Sequence, residues 1–458
     1  METYTLTRKI RRETGYDVVV AGGGPAGAAA AIGAGRTGAR VLLLEQTGCL
    51  GGMGTSGLVS EFDPMANGSE QLAGGIMKEI VEKMYDRGFL GPDVTPDYWR
   101  NRYQVWTPFQ PEGLKLVLDE LVTEARVEVR FFTRVVDCDA SPAAGIVNGI
   151  IIANVEGYSF IEAEAFVDAT GDAVLSKAAG VVCREAGTDS PRIMPSTLTS
   201  HWAGIDFERF DPDTEREKLH EALRAGHFSQ HDRHLVGINR INKSVGYLNG
   251  GHLFDLDALS VKSLSDGMML GRRLVQEFRS FYQEYFEGCE DIQLVQTAAL
   301  MGVRESRRIL GYYELTVEDY RARRQFLDQI AVFNKFVDIH PYDTSDEEWE
   351  RFMQEKDETL RMEEGEYYGV PYGIIVPKGW KNLWNPGRSA STDVAVQGSL
   401  RVQPAASMMG QAAGVAATIA IESKRDAAEI DLSDLITKLR EAGAFLPQAE
   451  LPTEITRN

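Results

Sequence analysis

The chain has 458 residues, a formal net charge of −20, and hydrophobic and charged fractions of 43% and 25%. That length carries two or three domains with a large core, and the acidic balance argues against nucleic acid or an anionic membrane as a partner. Four cysteines, Cys49, Cys138, Cys183 and Cys289, lie far apart with no CxxC pair, so no disulfide scaffold and no metal site is expected, and a reducing cytoplasm suits them.

The basic stretch Arg8-Lys9-Ile10-Arg11-Arg12 reads as a solvated lead-in, because no apolar stretch follows that would make it a signal. No apolar run is expected to reach membrane-spanning length. A strand over 16–21 then meets Gly22-Gly23-Gly24-Pro25-Ala26-Gly27, an alanine-rich helix, and a second strand over 40–44 that closes on Glu45. A glycine turn between strand and helix, answered about twenty residues later by an acid, is the dinucleotide-binding pattern. Gly22 permits the turn, Gly24 lets a pyrophosphate approach the backbone, and Gly27 lets helix and strand pack closely. The helix start offers free N–H groups to phosphate, and Glu45 can accept from ribose hydroxyls. A second match, Gly33-Ala34-Gly35-Arg36-Thr37-Gly38, lies at the helix end and is a decoy.

A glycine-rich loop over 48–55 follows, then helices over 72–87 and 111–126. Strands are expected over 127–136, 145–155 with an Asn148-Gly149 turn, and 158–168, forming an antiparallel meander that ends in Ala169-Thr170-Gly171-Asp172. Residues 186–370 lose the βαβ rhythm. They carry a loose set of histidines (His201, His220, His227, His231, His234, His252), helices over 260–283 and 316–334, the latter opened by a Thr316/Asp319 cap, and an acidic surface helix within 343–366. Strands over 372–376 and 382–385 precede a small-residue helix over 405–421, whose Gly and Ala stripe implies close approach to a neighbour. The last segment, 431–458, reads as one capped helix and a polar tail. The domain plan is a dinucleotide-binding domain over 1–185 that returns over 371–425, a substrate or cap domain over 186–370, and a C-terminal helix and tail over 426–458.

Four ordered blocks carry a family resemblance: Gly22 to Gly27 with Glu45, Leu50-Gly51-Gly52, Ala169-Thr170-Gly171-Asp172, and Gly387-Arg388-Ser389 followed by Arg401 and Gly410-Gln411-Ala412-Ala413-Gly414. The chain resembles the bacterial FAD-dependent oxidoreductases of the glutathione-reductase-like superfamily. The resemblance implies an α/β, Rossmann-type FAD-binding domain with a β-meander insertion and a second, α+β substrate domain. FAD would be held by Gly22, Gly24, Pro25, Ala26, Gly27, Glu45 and Gln46, by Gly51, Gly52, Met53 and Thr55, by the backbone of Val135, and by Ala169, Gly171, Gly387, Arg388, Met409 and Gly410. Arg388 departs from the Gly-Asp pair usual in the wider superfamily. The helix near Ala405 would aim its positive end at the flavin, favouring the anionic reduced form.

The lone Cys49 excludes the disulfide reductases, and no second glycine fingerprint serves a nicotinamide. The function expected is hydride transfer to flavin N5 from a small polar metabolite: an alcohol, sugar, cyclitol or hydroxy acid. Reduction of an activated alkene or ketone, or a non-catalytic electron-transfer role, are the alternatives. His252, after Asn249-Gly250-Gly251, and His340, in Asp338-Ile339-His340-Pro341, are the candidate bases. Arg304, three residues from Arg307 and on one face with it if that segment is helical, is the candidate anion clamp. His201-Trp202 is a third candidate contact. The electron acceptor stays open, and a homodimer is compatible with the chain.

Overall fold

The structure is a computed structural model that describes residues 4–357 and 360–448. Its main sheet runs in the order Glu128–Arg130, Val41–Leu44, Arg11–Ala21, Gly157–Asp168, Ile146–Asn154, Arg134–Ser141, with Leu383–Trp384 also paired to Gly157–Asp168. The first four strands pair in parallel, Val18 to Ala21 matching Val41 to Leu44 on one side and Ala165 to Asp168 on the other. These runs are buried without alternation, as a parallel sheet covered on both faces requires. The antiparallel meander completes the sheet.

Two helices of small residues cover one face. Pro25–Arg36 and Gln403–Ser423 cross so closely that a Cβ on Gly410 or Gly414 would lie 2.0 Å from the carbonyl oxygen of Ala26 or Ala30. The stripe of glycine and alanine is therefore a contact surface. Gln403–Ser423 is long and apolar enough to cross a membrane, which corrects the expectation that no run reaches that length; its residues are buried almost throughout, from Gln403 to Ala420, as in a core helix.

A second sheet, antiparallel, has the order Leu235–Asn242, Val245–Gly250, Ser200–Ala203, Gln293–Thr297. The helix Val261–Tyr285 lays Val275, Phe278, Phe281 and Tyr282 on it, against Trp202, Ile238 and Leu248. Ser260 caps this helix by accepting from Ser263 N–H.

Several local expectations are corrected. The first strand begins at Arg11, where Arg12 forms a two-pronged pair with Glu162 at 2.5 and 2.8 Å, so part of the basic lead-in is strand. The stretch 127–136 divides into Glu128–Arg130 and the start of Arg134–Ser141, which pair with different strands. Asn148-Gly149 lies inside Ile146–Asn154 and makes no turn; a Cβ on Gly149 would meet the Phe160 ring at 2.4 Å, so the glycine makes room for a crossing aromatic. The chain turns instead before Ile146, with Gly145 at φ +69°. The Thr316/Asp319 capping box forms, but its helix is only Val317–Arg321; Gln329–Phe333 is five consecutive buried residues paired antiparallel with Tyr368–Pro371. Residues Tyr372–Ile375 form a 3₁₀ turn after Pro371. The acidic segment is helical over Asp346–Asp357, and Asp431 caps Leu432–Glu441. The polar tail expected at the C-terminus lies, from 449 on, outside the described residues, as do 358 and 359 of the acidic run.

Candidate active site

The nucleotide cradle is built from backbone. Gly22 has φ +95°, and a Cβ there would meet Ala169 O at 2.6 Å; a Cβ on Gly27 would lie 1.7 Å from Gly22 O. Gly24, the residue before the Pro25–Arg36 helix, differs: a Cβ there would meet nothing within 4 Å. Two glycines close the turn, and the third faces open space at a helix start where N–H groups lack intrahelical partners. The loop after the second strand folds back on this turn, Gly51 N–H donating to Gly23 O at 2.8 Å, with Gly52 packed on Gly24 and Thr55 Oγ1 donating to Leu50 O at 2.6 Å. Glu45 is buried and accepts from Gly23 N–H and Thr47 N–H, both at 2.7 Å. Each carboxylate oxygen keeps a second lone pair for a ribose hydroxyl. These residues fit the adenosine and pyrophosphate of FAD. Gln46 follows on the same turn, and Val135 is buried in the meander.

Ala169 N–H donates to Ala21 O at 2.8 Å, which brings Gly171, at φ +79°, beside the cradle. Arg388 then ties three segments together: Nε donates to Gly171 O at 3.0 Å, Nη1 to Val303 O at 2.9 Å, and Nη2 pairs with Asp172 at 2.6 Å. The departure from a Gly-Asp pair is thus a structural clamp whose side chain also lines a cavity. Gly387, at φ +87°, packs on Ala26, and Met409 and Gly410 lie buried in the helix behind.

That cavity, of about 670 Å³, has Met53, Arg388, Val402 and Gln403 at its nucleotide end and Glu61, Asp63, His234, Arg304, Lys335, Asp338, His340 and Arg401 around the rest. Val402 and Gln403 open the long helix, so its positive end faces the cavity. Arg304 is 6% exposed. Its Nη1 donates to Pro195 O at 2.6 Å and Thr197 Oγ1 at 2.9 Å, and it has no carboxylate at ion-pair distance among the described residues. Burial and the neighbouring Arg401 lower its pKa to about 9. The expected pairing with Arg307 on a helix does not occur: Arg307 begins the strand Arg307–Ile309 and pairs with Glu185 at 3.3 Å.

The two histidines singled out from sequence meet. His252 Nε2 and His340 Nδ1 are 2.9 Å apart, and the His234 ring centre is 4.9 Å from each of theirs. Asp232 stands beside His252 and Asp338 beside His340. Burial drives His340 well below the ordinary imidazole range, Arg304 adding to it, and burial with His252 brings His234 down to about 3. Burial raises Asp338, but His340, Lys335 and Arg401 outweigh it and hold the carboxyl well below its usual range. Glu61 is pushed up to about 8 by burial and by Asp63, in spite of Lys335, which bonds Asp63 at 2.5 Å. His201 is elsewhere, buried against Ser60 Oγ at 2.7 Å, and Trp202 is core.

Sequence reasoning named His340, His252 and Arg304 but missed Glu61, Asp63 and Lys335 on the wall and Asp232 behind His252. The only signal for the three wall residues is a charge set in an apolar run; Asp232 carried none beyond its place among the loose histidines.

A parallel sheet that ends in a glycine cradle, opening onto a charged cavity beside a helix start, defines a dinucleotide-binding protein. The sequence model for the FAD-dependent oxidoreductases matches residues 17–441, and the chain belongs to that family. It is thus an FAD-dependent enzyme. No curated protein matches the sequence. Among solved structures it is similar to a geranylgeranyl bacteriochlorophyll reductase-like protein from Thermoplasma acidophilum (15% identity, 94% of this chain and 85% of that one, TM-score 0.48). It is also similar to the flavin-dependent brominase Bmp2 (13%, 93% and 83%, TM-score 0.44) and to p-nitrophenol 4-monooxygenase from Pseudomonas putida DLL-E4 (14%, 66% and 71%, TM-score 0.41). Likeness at this level says nothing of substrate.

Proposed function

We propose that this flavoenzyme removes a hydride from the carbinol carbon of a small, polar metabolite that carries an anionic group, a hydroxy acid being the class that fits best. The observation that carries this is Arg304, a buried guanidinium on the cavity wall with no carboxylate at ion-pair distance among the described residues. A buried cation left unpaired is costly, and an anionic ligand that reaches it removes that cost. FAD, when bound, supplies the two-electron acceptor. Arg304 then orients the anionic group, with Arg401 and Lys335 adding positive potential, while the histidine end, where His340 opens on the cavity with His252 behind it, receives the carbinol hydroxyl. The start of Gln403–Ser423 directs its dipole toward the nucleotide end of the same space.

The meander inserted in the parallel sheet supports a glutathione-reductase-like type for the FAD domain. Four free cysteines suit a cytoplasmic setting.

The test is an anaerobic spectral titration of the FAD-loaded protein. Hydroxy acids are expected to bleach the flavin bands and neutral polyols to do so far less, and Arg304→Met to weaken the bleaching by about 2–4 kcal/mol in apparent affinity while retaining FAD. Failure of every carbinol to bleach the flavin, or undiminished bleaching in Arg304→Met, would reject the reading.

A further inference from the structure

At the end of the cavity away from the cradle, three imidazoles converge from separate stretches of chain. We propose that His234, His252 and His340 bind one divalent transition-metal ion, with Asp232 and Asp338 as the carboxylates behind the ligands. The proposal stands on the placement of these side chains and is independent of which metabolite the flavin oxidises.

One ring nitrogen from each histidine lies within 4.8 Å of the other two. His252 Nε2 and His340 Nδ1 point at each other, and the other nitrogen of each ring faces an acid: His252 Nδ1 is 3.2 Å from Asp232 Oδ2, and His340 Nε2 is 3.4 Å from Asp338 Oδ1. A carboxylate behind an imidazole draws the N–H to the outer nitrogen and leaves a lone pair on the inner one, which is how metal-binding histidines are supported. Two inward lone pairs need an electron-pair acceptor between them. A shared proton satisfies two nitrogens; a third imidazole at the same point has no part in such a bridge, whereas a metal ion uses all three. The His234 ring makes no hydrogen bond among the described residues.

For the His252–His340 pair the spacing needs little change, and the His234 nitrogen, within 4.8 Å of both, closes in by rotation of its ring. Metal–nitrogen bonds of about 2.0–2.1 Å at a tetrahedral angle put two ligand nitrogens about 3.3 Å apart, against 2.9 Å here. His252 Nδ1 is buried and out of line for a hydrogen bond to Asp232, so a small rotation of that ring can improve both contacts. The backbone is already fixed, since Asp232 accepts from His234 N–H at 3.0 Å and from His252 N–H at 3.1 Å and so locks two ligand-bearing segments with one side chain. Asp338 is held by Arg401 at 3.0 Å.

Three neutral imidazoles suit zinc, cobalt or iron in the divalent state better than magnesium or calcium, which favour oxygen. His234 and His340 both line the cavity, so the remaining coordination position faces the space a substrate would enter. Three protein ligands with one open position is the arrangement of a catalytic site rather than a closed structural one. The ligands stand 18 and 88 residues apart along the chain, which is why no short spacing announces them.

The test uses the FAD-loaded protein, stripped with chelator and dialysed. Zinc is added in a calorimetric titration, cobalt in a parallel spectral one, and metal and flavin are counted in the same sample. One equivalent of zinc and of cobalt is expected, lost in His252→Ala and His340→Ala, kept in His231→Ala, which removes a nearby exposed histidine, and weakened about 10–100-fold in Asp232→Asn. Retained flavin in each variant shows that the fold survives. Absence of stoichiometric metal uptake by the wild-type protein, or uptake that persists in both His252→Ala and His340→Ala, would overturn the proposal. Metal bound without any substrate-driven bleaching would support this site and reject the hydroxy-acid reading instead.

Discussion

The nucleotide end of the cavity is shaped by glycines and backbone groups contributed mostly by residues 22–27, 45–55 and 169–171, and almost no charged side chain takes part. The histidine end is the reverse: Asp232, His252, Arg304, Lys335, Asp338 and Arg401 are side chains drawn from distant segments and largely withdrawn from water, paired with one another except for Arg304, which Pro195 O and Thr197 Oγ1 hold. The first region recognises by leaving room, the second by supplying groups. Substitutions should therefore fail in different ways, the first by steric exclusion and the second by uncompensated charge.

The largest effect is expected for Gly27→Ala. The new Cβ would lie 1.7 Å from a backbone oxygen that cannot move aside, so the loss should exceed about 4 kcal/mol and leave little soluble protein. A soluble variant with wild-type Tm would break the view that this end is fixed by backbone contact.

Next comes Glu215, buried in the second core, where it accepts from Tyr282 O–H at 2.6 Å and Ile238 N–H at 3.0 Å. Burial raises its pKa to about 7, against about 4.3 in an unfolded chain. Between those values the folded state keeps a proton that the unfolded state releases, so wild-type stability falls as pH rises through that window. In Glu215→Gln this part of the slope should vanish, a gain on the order of 3 kcal/mol over wild type above pH 7. Parallel stability curves for the two proteins from pH 4 to 8 would show that no buried carboxylic acid is present there.

Gly24→Ala sharpens the comparison from the other side. Because its Cβ meets no protein atom, the apoprotein should melt as wild type does, while FAD affinity drops at least tenfold, about 1.4 kcal/mol. Unchanged affinity would place the pyrophosphate elsewhere. The smallest effect is expected for Ser60→Ala, which leaves His201 Nε2 without its partner and should cost about 1 kcal/mol in a denaturant titration, with FAD content unaltered.

The same contrast decides what could be read in advance. Gly22, Gly24, Gly27 and Glu45 were legible because a phosphate cradle is a local object, set by turn and helix start. The Thr316/Asp319 cap was legible for the same reason, although the helix it opens stops at Arg321, where the buried run Gln329–Phe333 found a strand partner far along the chain. Arg304 and Arg307 looked like one helical face, and a strand beginning at Arg307 sent them to different neighbours. His252 and His340 were visible singly, but their meeting depends on how the short strand His252–Leu253, paired with Ser196–Thr197, is set against the segment around Asp338, and no spacing encodes that.

The tight crossing of Pro25–Arg36 and Gln403–Ser423 also bears on biogenesis. The phosphate-binding helix leaves the ribosome well before the helix that must cover its small-residue face, with every strand of both sheets except Arg11–Ala21 made in between. A nascent chain that has not reached residue 403 holds the complete glycine motif yet lacks its covering layer, so stable cofactor capture is expected only after Gln403–Ser423 has been made. Such long-range closure makes folding slow and leaves apolar surface uncovered meanwhile. Truncation from the C-terminus into 403–423 should therefore destroy flavin retention even though every residue of the N-terminal fingerprint remains.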